Sequence, residues 1–185
     1  MSEEKKFSEM TPKERGREVL ITLCYLAAGV VLALLISTFL IQKVTVEGTS
    51  MVNTLEEGDL LFGARYGVFY RDVDRFDIVV LDMGDRGLYV KRVIGLPGET
   101  VQIAGEEIYI NGEVLDESYG SSDMRTPGIA EEPLTLGEGE YFVLGDNRYY
   151  SRDSRDAGVG VIREKQIMSK LGLRFWPISK FGIVR

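Results

Sequence analysis

The chain has 185 residues, 44% hydrophobic and 28% charged, which excludes both a disordered chain and a uniformly apolar one. Its 22 basic and 29 acidic residues leave a net charge of −7, against the basic excess of a nucleic-acid binder. There is no histidine and one cysteine, Cys24, so a Ser-His-Asp triad, a Cys-His pair, a His-ligated metal, a thiolate cluster and an intrachain disulfide are all excluded. Catalysis in this chain has to use Ser, Thr, Lys, Tyr, Arg or carboxylates, and no cofactor is expected.

Residues 19–41, VLITLCYLAAGVVLALLISTFLI, form a run of 23 positions without charge. As a helix they reach roughly 35 Å, enough to cross a hydrocarbon core of about 30 Å. The run is apolar all round rather than along one stripe, unlike a buried core helix. It exceeds the apolar region of a secretory signal, about 7–15 residues, and no small-x-small cleavage site follows it. An uncleaved anchor is expected. Lys5, Lys6, Lys13, Arg15 and Arg17 precede it, whereas the next twenty residues hold only Lys43. The positive-inside bias therefore puts the N-terminus in the cytosol and residues 42–185 on the outer side of the cell membrane. The tail, residues 1–18, carries five acidic and five basic side chains, so the whole −7 belongs to the outer domain. Cys24 lies in the span and reads as a packing residue. The expected organisation is a cytosolic tail 1–18, a single transmembrane helix 19–41 and an extracytoplasmic domain 42–185.

Beyond residue 42 the pattern breaks into short runs of strand-like composition: Val44–Glu47, Asp59–Ala64, Asp77–Asp82, Leu88–Ile94, Thr100–Ile103, Glu107–Asn111, Glu140–Leu144 and Gln166–Phe175. Glycine-rich punctuation separates them, and Asn111-Gly112 suits a tight turn. Residues 116–133 read as a surface loop. Strands without long intervening helices predict a mainly β domain of antiparallel sheets folded on themselves.

Three segments carry chemistry-bearing residues. The first runs from Glu47 to Leu55 and places Ser50 just past a glycine at a strand-to-turn junction. A lone serine there usually only bonds a turn. The second, Leu88–Glu99, puts Tyr89, Lys91 and Val93 on one strand face and Leu88, Val90, Arg92 and Ile94 on the other. Each cation either snorkels over its apolar neighbours or is desolvated. A desolvated Lys91 has a depressed pKa and can act as a base near neutrality. The third, Gly145–Arg155, alternates carboxylates and guanidiniums, a composition suited to bidentate ion pairs that cross-link a loop. A calcium loop does not fit, because Arg148 and Tyr150 occupy ligand positions after Asp146.

In this order after an N-terminal span, the three segments resemble bacterial type I signal peptidase, the membrane-bound serine protease of the Ser/Lys dyad class. Ser50-Met51 matches the family's nucleophile motif, and Lys91-Arg92 with Gly95-Leu96-Pro97-Gly98 matches its lysine motif. Gly145-Asp146-Asn147-Arg148 with Ser151, Asp153, Ser154 and Arg155 matches its third. The short 99–140 interval is similar to the compact, Gram-positive-like branch. The resemblance implies a coiled antiparallel β-sheet catalytic domain on the outer membrane face. It implies Ser50 as nucleophile, Lys91 as general base, Ser151 as the hydroxyl that orients the Lys91 amine, and the Ser50 N–H as an oxyanion donor. Asp146, Arg148, Asp153 and Arg155 would hold the site together, and Met51 would line the substrate region. The implied substrates are exported preproteins cut at small-x-small sites, with membrane lipid and the secretion translocon as neighbours, and with no nucleic acid. The absence of histidine agrees with this, since a serine nucleophile then needs another base and a neutral lysine supplies one.

Two positions depart from the family pattern. Asn53 stands where proline is usual, and a more mobile turn with reduced activity is expected. Gly48 stands where some members carry a serine that assists the oxyanion hole. A competing reading is a weak or inactive membrane-anchored homologue that binds preproteins, with Asn53 as its support. A self-cleaving Ser/Lys repressor lacks its DNA-binding module here. A penicillin-recognising enzyme would need S-x-x-K, which Ser50-Met51-Val52-Asn53 does not give. An intramembrane aspartic or metalloprotease would need charges that the span lacks.

Overall fold

The computed structural model describes residues 11–65, 67, 73–120 and 123–184. Lys5, Lys6 and the rest of residues 1–10 lie outside them. The chain divides into two units, residues 1–40 and 41–185. The first is a helix, α1 (Pro12–Phe39), which begins seven residues before the uncharged run. The reason is local: Thr11 and Glu14 form a reciprocal capping box with Pro12 in the first turn, which carries the helix through its polar start. The segment Pro12–Ile36 is long and apolar enough to cross a membrane and buries none of its most apolar stretch against protein.

The helix also ends before the uncharged run does. Ile41, counted with the apolar run, opens strand β1 (Ile41–Thr45), in which Gln42 and Val44 are buried and their neighbours exposed. That alternation is a strand's period of two, so Ile41 pairs with Ala64 of β2 (Leu60–Arg65) instead of extending α1.

The second unit is mainly β and every strand pairing is antiparallel. The remaining strands are β3 (Ile78–Asp82), β4 (Leu88–Gly95), β5 (Thr100–Ala104), β6 (Glu107–Ile110), β7 (Glu113–Val114), β8 (Leu134–Thr135), β9 (Glu140–Leu144), β10 (Ile162–Arg163), β11 (Ile167–Trp176) and β12 (Gly182–Ile183). One sheet runs β1-β2-β11-β3-β4-β9-β10 with β12 against β11, and a smaller one runs β7-β6-β5-β8. Asn111 and Gly112 form the expected tight turn between β6 and β7.

β3 and β4 are central; Ile78–Leu81 of β3 are buried on both faces, and so is β4 from Lys91 onward, while Leu88 is exposed. One face carries a core of Val44, Met51, Leu55, Ile78, Val80 and Leu171. The other carries Val79, Leu81, Val93, Val143 and Ile167. A third core joins the sheets through Ile94, Val101, Ile103, Phe142 and Leu144. β4 pairs with β3 along Leu88–Arg92 but with β9 only from Arg92 onward, so Leu88–Lys91 keep a free strand edge. β1, at the end of the sheet, keeps another.

Candidate active site

Ser50 lies in the turn after β1, and its backbone is fixed by the third motif. Asn147 N donates to the Ser50 carbonyl at 3.0 Å, and Asn147 Nδ2 donates to the Thr49 carbonyl at 3.1 Å. Val52 N returns to the Thr49 carbonyl, while Thr54 N and Leu55 N both donate to the Met51 carbonyl. Met51, 1% exposed, anchors the turn in the core and also lines the cleft described below.

β4 carries Lys91 to the same point. Lys91 Nζ lies 2.7 Å from Ser50 Oγ and donates to the Val90 carbonyl at 2.9 Å. The residue is 4% exposed. Burial is the larger influence on its pKa and pushes it down from 10.5 to about 8, against the opposing pull of the Asp153 and Asp146 carboxylates. As an ammonium, Nζ donates to Ser50 Oγ. Once it loses a proton, the same contact sets a lone pair against the Ser50 hydroxyl, which is the arrangement a general base requires.

The neighbouring cation has a different role. Arg92 is 0% exposed and does not snorkel to water. Its Nε and Nη2 donate to the two Asp146 oxygens at 2.8 and 2.7 Å, and its Nη1 donates to the Phe76 carbonyl at 2.8 Å. Thr54 Oγ1 donates to Asp146 Oδ2 at 2.5 Å. This bidentate pair ties β4 to the third motif one residue from Lys91.

The other charged residues of that motif are paired as well. Arg155 makes a bidentate pair with Asp153 at 2.8 and 2.9 Å, and Asp153 also accepts from Gly145 N at 3.1 Å. Arg148 pairs with Glu117 and donates from Nε to the Gly145 carbonyl at 3.1 Å. Gly145 is where the elements crowd closest. A Cβ there would collide with the Ser151 hydroxyl and lie 2.5 Å from the Ser50 carbonyl oxygen, so only glycine fits. The structure thus brings Ser50, Lys91, Ser151, Asp146, Arg148, Asp153 and Arg155 into one region.

One expected contact is not made. Ser151 Oγ is buried and has no hydrogen-bond partner among the described residues, so it does not bond the Lys91 amine in this structure. Ser151 is tethered through its N–H to the Asn147 carbonyl at 3.0 Å, which leaves the hydroxyl oriented by packing alone.

The two departures acquire a structural cause. Asn53 is exposed with φ +94°, a conformation closed to proline, whose ring holds φ near −65°. The turn is therefore a different turn, not a looser copy of a proline one. Asn53→Pro is expected to lower stability by more than about 1 kcal/mol, and Asn53→Gly to stay within about 0.5 kcal/mol of the parent, as read from urea unfolding midpoints. Gly48 has φ +81°, so the backbone there favours glycine whatever its side chain might have donated.

A cleft of about 620 Å³ opens over Ser50 and Lys91. Residues 43–51 line one side and Leu88–Lys91 the other, with Tyr150 and Arg152 beside them. No cluster of acidic or thiol side chains suited to a metal ion occurs among the described residues.

The sequence pattern of the family described as "Signal peptidase, peptidase S26" matches residues 18–176. The chain belongs to this family. Among signal peptidase relatives, "Signal peptidase I" of Bacillus licheniformis is 41% identical over 160 residues, covering 82% of this chain and 86% of its own. "Signal peptidase I T" of Bacillus subtilis (strain 168) is 37% identical over 189 residues, covering 97% of each chain. "Signal peptidase IB" of Staphylococcus aureus (strain COL) is 31% identical over 180 residues, covering 89% and 93%. A crystal structure of a signal peptidase I from Enterococcus faecalis V583 is 35% identical, with a TM-score of 0.45 over 55% of this chain and 97% of that one. The signal peptidase family match spans all three motifs. Arg92, Thr54 and Asn147 lie within the three segments but received no site role from the sequence, and Glu117 lies outside them.

Proposed function

We propose that the chain is a membrane-anchored serine endopeptidase that removes signal peptides from exported preproteins, with Ser50 as nucleophile and neutral Lys91 as general base. The observation that carries this is the 2.7 Å contact between Ser50 Oγ and a buried amine whose pKa is depressed.

Ser50 Oγ attacks the scissile carbonyl carbon as Lys91 Nζ takes the hydroxyl proton. The negative charge on the resulting tetrahedral oxygen meets the Ser50 N–H, which no carbonyl among the described residues takes up. The intermediate collapses, the C–N bond breaks, and the Lys91 ammonium returns its proton to the leaving amine. An ester on Ser50 remains. Lys91, neutral again, takes a proton from water, and the hydroxide adds to the ester carbonyl. Collapse of that adduct breaks the ester C–O bond, the Lys91 ammonium returns its proton to the Ser50 oxygen, and the acid leaves as a carboxylate, its proton passing to water. In this reading Ser151 orients the Lys91 amine, supported by the place of its buried hydroxyl, which crowds Gly145 beside the Ser50 carbonyl. Asp146, Arg148, Asp153 and Arg155 hold the turn that fixes the Ser50 carbonyl.

The free edges of β1 and of Leu88–Lys91 suit an extended peptide bound by main-chain hydrogen bonds, with Met51 near the small side chain before the cut. The names of the relatives support signal peptides as the substrate class. The basic residues before the uncharged run 19–41 support a cytosolic N-terminus and a domain on the outer face of the cell membrane, beside lipid and the secretion translocon. Enzyme and preprotein would then share one plane, which raises their effective concentration.

The deciding experiment incubates the detergent-solubilised full chain with a preprotein bearing an Ala-x-Ala junction and weighs the new N-terminus. Cleavage after the second alanine, abolished in Ser50→Ala, is expected. Binding without cleavage at any pH would favour the inactive homologue.

A further inference from the structure

The segment Glu117–Gly120 belongs to the stretch that its composition marks as surface loop. The structure instead fastens it to two of the arginines on which the site rests, Arg148 and Arg92. Glu117, 15% exposed, receives two bonds from the buried Arg148 guanidinium, Nη1 to Oε1 at 2.6 Å and Nη2 to Oε2 at 2.7 Å. Two residues on, the Tyr119 ring covers Arg92, with the guanidinium carbon 3.7 Å from its centroid. Phe76, whose carbonyl accepts from Arg92, packs against the Tyr119 ring, 5.2 Å between ring centroids. Gly120 closes the segment onto Arg148, where any Cβ would meet the guanidinium.

We infer that Glu117 and Tyr119 are positioning residues: a two-point clamp that holds the 145–151 turn through Arg148 and β4 through Arg92, and so sets Ser50 and Lys91 facing each other. The inference rests on the reaction proposed above. Arg148 bonds the Gly145 carbonyl, at the position where Ser50 and Ser151 crowd together, and Arg92 adjoins Lys91. A flat aromatic face over a guanidinium keeps water away while costing it no hydrogen bond, which matters for a bidentate pair with no exposed surface.

The clamp has an electrical consequence. Asp146 and Asp153 face Lys91 from the third motif, the Tyr89 ring lies 5.4 Å from Nζ on its own strand, and Arg152 lines the same cleft. Arg92 and Arg155 offset the two carboxylates. If the Tyr119 ring is lost, the Arg92–Asp146 pair loosens and water reaches the amine. Both effects favour the ammonium.

The test uses the detergent-solubilised full chain, with kcat and KM measured from pH 6 to 10 on the Ala-x-Ala preprotein. Tyr119→Leu is expected to move the midpoint of kcat/KM up by about one unit, and so to lower the value at pH 7 about tenfold. Tyr119→Phe, which keeps the ring, should hold the parent midpoint. Glu117→Gln should lower kcat about tenfold with KM within about twofold, because the cleft walls are untouched. The Lys91 midpoint is also read without turnover, from the pH dependence of Nζ acetylation by acetic anhydride in Ser50→Ala chains, located by peptide mass. A midpoint unmoved in Tyr119→Leu, equally moved in Tyr119→Phe, or activity lost only in proportion to unfolded protein overturns the clamp. Cleavage surviving in Ser50→Ala instead overturns the proposed reaction, and the acetylation midpoints still judge the clamp.

Discussion

Lys91→Met is expected to lower signal-peptide cleavage by at least about a thousandfold while leaving the thermal midpoint at pH 7 equal to or above that of the parent. The two halves of this result have one cause. Folding lowers the Lys91 pKa from 10.5 to about 8, chiefly by burial. Below pH 8 the folded protein holds an ammonium in a site that disfavours it, at a cost of about 3 kcal/mol. Between about pH 8 and 10.5 the unfolded chain binds the extra proton, so this cost fades as pH rises through that window. Methionine fills a similar volume without a charge and removes the cost at neutral pH, while it also removes the proposed base. The parent's kcat/KM should climb about tenfold per pH unit below 8 and level off above it, since only about a tenth of Lys91 is neutral at pH 7. A profile flat from pH 6 to 9, or a Lys91→Met protein that cleaves at the parent rate, would falsify the assignment of the base.

The parts of this fold that could be read from sequence are those where one local pattern decides the outcome. Alternation and buried runs marked β4 and β9 to within a residue, and the Lys91-Arg92 and Gly145–Arg155 motifs supplied most of the residues that meet in the candidate site. The two-residue strands β7, β8, β10 and β12 are too short to show a period. The start of α1 depended on a capping box outside the apolar run, and its end on Ile41 finding a strand partner. Partner choice was the least legible feature. Arg92 and Asp146 are 54 positions apart and Arg148 and Glu117 31 apart, so only the sheet order brings them together. The third motif announced many ion pairs without saying with whom. Glu117 and Tyr119 sat among Gly and Ser residues, whose turn-forming composition concealed that the segment packs on two guanidiniums. Asn53 illustrates the opposite case. A comparison of residue types suggested a softened turn, whereas its φ of +94° identifies a turn of another kind.

The buried pair of Arg92 and Asp146 carries the largest expected effect on stability. Both side chains are 0% exposed, and their oxygens and nitrogens are taken up by each other, by Thr54 Oγ1 and by the Phe76 carbonyl. Such a pair adds little stability in total, because desolvation cancels most of the attraction. Removing one partner is a different matter, since the survivor keeps its charge and loses its compensation. Asp146→Ala should therefore lower the unfolding free energy in urea at pH 7 by about 3–5 kcal/mol. The double variant Arg92→Met with Asp146→Leu should cost less than Asp146→Ala alone, because it leaves no orphaned charge even though Thr54 and Phe76 lose their partners. The double variant should still cleave poorly. Met and Leu restore packing between β4 and the third motif but not the bidentate geometry that fixes the 145–151 turn against the Ser50 carbonyl. Stability recovered without activity would separate what the pair does for the fold from what it does for the site. If Asp146→Ala costs less than about 1 kcal/mol, the pair is hydrated in solution and cannot hold Lys91 in a water-poor site.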